Sequence, residues 1–128
     1  MTSHAPANKE GKTTMMVTYR MLVSKGACVA QRDKFCQLYP NGVIITRELC
    51  VKHATDFDWN WAARNLLSGS ARDAYLAVRA VIDAAYVAAM VSADATYAAG
   101  DGPYSAYDAI VAYATAKALA FATACGCP

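Results

Sequence analysis

Carboxylates and imidazoles are scarce in this chain of 128 residues. Glutamate occurs only as Glu10 and Glu48, and histidine only as His4 and His53. That scarcity leaves little material for acid–base chemistry. There is no G-x-x-x-x-G-K-[ST] loop to cradle a nucleotide phosphate and no G-x-S-x-G nucleophile elbow. No Cys-x-x-Cys pair occurs, so the strongest zinc and redox signatures are missing. A long strongly apolar run is also lacking. The most apolar stretch near the end, Ile110 to Ala124, is mostly alanine and is interrupted by Lys117. A spanning helix needs about twenty strongly apolar residues, so no membrane is expected. The opening residues carry no apolar core of a signal peptide.

Five cysteines are present, an odd number. Without a secretion signal this count indicates free thiols and a reducing, cytoplasmic setting. Net charge is +2. Residues 1–67 carry nine Lys/Arg against five Asp/Glu, and residues 68–128 carry three against five. Neither half makes the basic stripe that nucleic-acid binding uses, so no nucleic-acid partner is expected. Hydrophobic residues make up 56% of the chain and charged residues 17%. That is too apolar for disorder, and the length suffices for one buried core.

Residues 1–14 read as a polar flexible tail, with Met15 and Met16 offering alternative starts, and residues 15–128 as one helical domain. Thr18 caps a short helix that Gly26 ends. A second helix runs over about 27–39. Pro40-Asn41-Gly42 is a turn. Val43-Ile44-Ile45 is either an extended connector or one strand of a tiny sheet, with Met15-Met16-Val17 as its only obvious partner. Thr46 caps a third helix to about Thr55, and Asp58 caps a fourth. In that fourth helix Trp59, Ala62, Ala63, Leu66 and Leu67 make an apolar stripe. Trp61 lies off the stripe, and Arg64 and Asn65 fall on the polar side.

Ser68-Gly69-Ser70 is the cleanest break. Beyond it the chain is rich in alanine and tyrosine, and Gly100-Asp101-Gly102-Pro103 divides it into two helices of an antiparallel hairpin over 71–124. Tyr75, Tyr86 and Tyr97 recur every eleven residues, which keeps them on one side of a nearly straight helix. Such a stripe serves as a packing face or as a recognition surface. The fold expected is all-α: a cluster of short helices, 15–67, packed on an Ala/Tyr-rich hairpin. The core should hold Leu22, Phe35, Leu38, Leu49, Phe57, Trp59, Leu66, Leu67, Tyr75, Val78, Ile82, Tyr86, Ile110 and Phe121.

Two chemical readings compete with plain packing. Cys50 and His53 share a helix face, and Cys28 and Cys36 lie on the preceding helix, so the four could offer zinc a Cys₃His set. Free cysteine is equally a small hydrophobe. Cys125-Gly126-Cys127 could hold a soft metal or oxidise, but a position at the terminus predicts fraying. Asp56 and Asp58 read as capping residues. No catalytic residue is assigned, and no specific reaction is supported.

Phe57-Asp58-Trp59-Asn60-Trp61 carries the largest apolar payload, and residues of this kind anchor cores or interfaces. Trp61, Arg64 and Asn65, with Tyr75, Tyr86 and Tyr97, are the candidate partner-binding residues. The run Gly26-Ala27-Cys28-x-x-Gln31-x-x-x-Phe35, then Tyr39-Pro40-x-Gly42-Val43, then Thr46-x-x-Leu49-Cys50-x-x-His53-Ala54, then Phe57-Asp58-Trp59-x-Trp61-Ala62-Ala63-x-x-Leu66-Leu67-Ser68 resembles a family of uncharacterised small proteins common in phage and prophage genomes. The Ala-rich end is similar to immunity proteins of bacterial toxin systems. The resemblance implies a non-enzymatic module, such as an accessory or anti-defence factor, that binds a host protein in the host cytoplasm. It brings no catalytic residues. The alternatives are the Cys/His metal module and a self-assembling protein whose Ala/Tyr helices form a homo-oligomer seam.

Overall fold

The computed structural model describes residues 15–100, 102 and 106–127. The tail expected over 1–14 and most of the loop expected around 100–103 lie outside the described residues. The described elements are β1 (Met16–Val17), α1 (Tyr19–Ser24), α2 (Val29–Leu38), β2 (Val43–Ile44), α3 (Arg47–Lys52), α4 (Trp59–Leu66), α5 (Gly69–Ala98) and α6 (Ala106–Ala124). The fold is all-α with one two-stranded ribbon.

The short helices begin where side-chain oxygens meet orphan N–H groups. Thr18 Oγ1 accepts from the Met21 amide at 3.2 Å, Thr46 Oγ1 from Leu49 at 3.1 Å, and Asp58 Oδ1 from Trp61 at 3.0 Å. Each cap stabilises its helix by about 1 kcal/mol. Helix α3 stops at Lys52, earlier than the expected Thr55. Tighter turns follow it, with Ala54 N–H on Val51 O and Asp56 N–H on His53 O.

The ribbon settles the open reading of Val43-Ile44-Ile45. Met16 pairs with Ile44 and Val17 with Val43, antiparallel. Two residues per strand are marginal alone, and the ribbon holds because each strand leads within two residues into a helix cap, Thr18 or Thr46. Gly42 closes the preceding turn at φ +86°. A Cβ there would lie 2.9 Å from Met16 Cε and 3.0 Å from Val17 O, so both the backbone angle and the neighbouring strand require glycine.

Helix α6 runs beside α3, α4 and α5. Ala118, Phe121 and Ala122 on it are fully enclosed, and alanine lets the neighbouring backbones approach closely. The end of α6 does not fray as expected. Gly126 adopts φ +84°, its N–H bonds to Thr123 O, and Cys127 N–H bonds to Ala122 O. This is a Schellman stop, in which the residue after the glycine folds back onto the helix. Cys125 and Cys127 are buried. The Cys127 thiol donates to Ile45 O at 3.4 Å, and Arg47 donates to Cys127 O and Thr123 Oγ1 at 3.2 Å each.

Of the expected core, Leu22, Phe35, Trp59, Leu67, Tyr75 and Phe121 are buried, and Leu49, Phe57, Leu66, Ile82 and Tyr86 are partly so. Leu38, Val78 and Ile110 are instead 45–48% exposed. Leu38 ends α2, where Tyr39 turns inward in its place. Val78 and Ile110 lie on the α5–α6 hairpin, on sides that no other described helix covers. Among the described residues α5, not the C-terminal stretch, is the helix long and apolar enough to cross a membrane by length and composition, with mean hydropathy 1.6 over its most apolar window.

Cys50, Cys125 and Cys127 all have raised thiol pKa values. Burial is the main cause for each, and it pushes Cys50 up to about 12. A group whose folded pKa is raised favours the native state fully below its unfolded value, and that contribution is lost as pH climbs through the folded one. Stability to urea should therefore be flat up to about pH 9 and then fall toward pH 12. The slope is at most about 1.4 kcal/mol per pH unit for each thiol ionised only in the unfolded chain. Cys50→Ala should shallow that slope, and an unchanged slope would show that these thiols do not set it.

Candidate functional site

Four short helices and the ribbon cannot close completely over their own centre. They leave a cavity of about 260 Å³, partly open to solvent. Its wall includes Phe35 and Tyr39 from α2 and its C-cap, Phe57, Trp59 and Trp61 around the start of α4, and Phe121 from α6. Gly26, Ala27 and Ala62 are the small residues that keep it from filling. Gln31 and Asp58 are its most polar members, and both are engaged. Gln31 Oε1 accepts from the Asp58 amide at 2.9 Å, while its Nε2 donates to Asp56 O at 3.2 Å. Asp58 caps α4.

The wall is a chain of tilted and edge-on rings. Phe35 meets Tyr39 at 5.7 Å and Phe57 at 6.4 Å between centroids. Phe57 meets Trp59 at 6.3 Å, and Trp59 meets Phe121 at 5.3 Å. These separations favour attraction between ring edges and faces. Trp59 also donates from Nε1 to Ala54 O at 3.0 Å.

Behind the wall sits His53, the one buried polar side chain among the described residues. With the ring neutral, the Tyr39 hydroxyl donates to Nε2 at 2.7 Å and Nδ1–H donates to Asp56 Oδ2 at 2.8 Å. Both ring nitrogens are satisfied. An Asp–His–Tyr series can in principle pass a proton along its length. Of the three, however, only Tyr39 lines the cavity, and its hydroxyl is turned to the histidine. The arrangement braces α2 against the α3–α4 connection.

The expected site residues fall in several places. Trp61 is half-buried on the cavity wall. Arg64 is exposed, and Asn65 Nδ2 donates to Trp61 O at 2.9 Å. Tyr75 is 1% exposed, and its hydroxyl donates to Asn60 Oδ1 at 2.7 Å. It therefore lies in the core and not on a partner-facing surface. Tyr86 stacks on Tyr113 at 4.3 Å, and Tyr113 donates to Asp83 and sits under Lys117 Nζ. Tyr97 is exposed. The eleven-residue stripe thus begins as a packing face and emerges into solvent at the far end of α5.

Cys28, Cys36, Cys50 and His53 are not gathered around one point. Cys28 is exposed at the start of α2, Cys36 is half-buried, and Cys50 is fully enclosed. Both nitrogens of His53 are taken. Among the described residues no three His, Cys, Asp or Glu side chains come together as a metal-binding group. Sequence reasoning did not single out Tyr39 or the Tyr39–His53–Asp56 series. The available signal was Asp56 three residues after His53, the same spacing that suggested Cys50. Comparison with protein-family models, curated proteins and solved structures finds no match to this chain.

The brace is testable by denaturation. Tyr39→Phe leaves Nε2 buried and unpaired and should cost about 1–3 kcal/mol. His53→Ala should cost more, because it also removes the ring contacts to Tyr39 and Phe57 at 5.7 and 5.5 Å. The double variant should fall short of the sum. Full additivity in urea melts would show that the pair does not act as a unit.

Proposed function

We propose that this chain is a non-enzymatic protein-interaction module whose aromatic cavity receives an apolar anchor from a protein partner. The observation that carries this reading is an open cavity of about 260 Å³ with Trp61 on its wall. Its walls are mostly apolar, so an unoccupied cavity keeps that surface in contact with water. A small domain keeps such a space open more readily where an occupant offsets the cost. The volume lies below the roughly 300–1,000 Å³ of small-molecule and cofactor pockets, which suits one or two side chains of a peptide. Half-buried aromatics at the mouth of an apolar pocket are the usual anchors of an interface. The resemblance to small phage proteins supports a host protein as the partner, in the host cytoplasm and in an accessory or anti-defence role.

Filling the cavity separates binding from stability. Ala62 is buried and lines the space, so Ala62→Leu should raise the melting temperature while abolishing partner capture from host lysate. Trp61→Ala should weaken the same capture. Mass spectrometry of the captured proteins reads both variants. A partner retained at wild-type level by Ala62→Leu and Trp61→Ala alike would refute this reading.

A further inference from the structure

The aromatic cavity has a chemical preference beyond being apolar. Phe35, Tyr39, Phe57, Trp59, Trp61 and Phe121 stand around one space. Successive rings are inclined to each other, by 62° between Phe35 and Phe57, 84° between Phe57 and Trp59, and 47° between Trp59 and Phe121. Walls at such angles surround an occupant from several sides, as in an aromatic cage, and ring faces carry negative charge density. Asp58 is the one charged side chain among the described lining residues, and it is exposed, so it stands at the opening. No lysine, arginine or histidine lies among them. Most polar groups of the wall are committed. Gln31 is bonded at both ends, the Tyr39 hydroxyl faces His53, Trp59 Nε1 donates to Ala54 O, and one oxygen of Asp58 caps α4.

We propose that the anchor this cavity receives is a fully methylated lysine of the protein partner. The inference rests on the reading of the cavity as an anchor pocket and specifies its occupant. A neutral apolar anchor would use neither the carboxylate at the mouth nor the charge density of the ring faces. A plain lysine ammonium would use both, but it brings three N–H donors. This wall has few uncommitted acceptors, so entry without water would leave donors unpaired, at a cost. An arginine brings five donors and meets the same obstacle more severely. Three methyl groups remove the donors. They spread the positive charge over a rounded apolar surface that packs against rings, and its attraction to those rings strengthens as water is displaced. Asp58 at the opening complements the same charge. Rings, a carboxylate at the mouth and a shortage of open acceptors together select a quaternary ammonium over the other cations and over an aliphatic group.

The test is a titration of the full chain read by tryptophan fluorescence, since both tryptophans, Trp59 and Trp61, line the cavity. Three probes are compared: the N-acetyl methylamides of trimethyllysine, of lysine, and of the uncharged analogue in which carbon replaces the quaternary nitrogen. A single trimethyllysine side chain should bind in roughly the millimolar range. The carbon analogue has the same shape, so it isolates the charge, and it should bind about tenfold more weakly. Lysine should also bind about tenfold more weakly. Asp58→Asn keeps a cap of equal quality, so the melting temperature should hold while trimethyllysine binding weakens about threefold. Ala62→Leu should abolish the response to trimethyllysine. Equal affinity for the carbon analogue, equal affinity for lysine, or no saturable binding of trimethyllysine overturns the inference. None of these outcomes removes the anchor-pocket reading itself, which fails when partner capture survives Ala62→Leu and Trp61→Ala alike.

Discussion

The hydrogen bonds on the two nitrogens of His53 hold the N-terminal half together. The ring is buried, so each nitrogen needs a partner, and the two partners come from different segments: Tyr39 just after α2 and Asp56 in the connection before α4. Around it, Gln31 and Lys34 of α2 donate to Asp56 O, and the Asp58 amide returns a bond to Gln31. Helices of six to ten residues are too short to stand alone. Here they are fixed less by propensity than by this one polar cluster and the rings stacked against it.

The same construction explains why the half encloses a cavity. Tyr39 and Phe57 are held in place by His53, and Trp59 by Ala54 O and Phe121. Rings pinned at their far sides cannot collapse inward, and Ala27 and Ala62 opposite them are too small to fill the space. The hairpin follows the opposite rule. Alanine packs α6 against α5 with little side-chain volume between them, and larger groups enter at intervals as Tyr75, Tyr86 and Tyr113. One half is aromatic and incompletely filled, while the other leaves an open groove between α5 and α6, lined by small side chains such as Ala74 and Ala116, and further apolar residues outside.

Local chemistry was legible where a residue acts on its own neighbourhood. Thr18, Thr46 and Asp58 bond amides three residues on, so their roles follow from position alone. The 3.6-residue stripe of α4 is likewise local. What escaped was long-range. His53 with Cys50 suggested a metal, because a helix face is visible in sequence and Tyr39, fourteen residues back, is not. Cys127 looked like a fraying end, although Gly126 before an apolar residue repeats the stop that Gly26 and Ala27 make after α1. There too the second residue is buried, with Ala27 N–H on Leu22 O. Leu38, Val78 and Ile110 satisfy helical periodicity yet lie outside, because periodicity shows that a face is apolar and not what covers it.

The aromatic cavity and the outer face of α5 lie on separate elements: no residue of α5 lines the cavity. Helix α6 links the two regions: Phe121 closes the cavity against Trp59, and two turns earlier Tyr113 stacks on Tyr86 of α5. The aromatic half and the hairpin are thus tied to each other through one helix, which presents Phe121 to the rings and Tyr113 to α5.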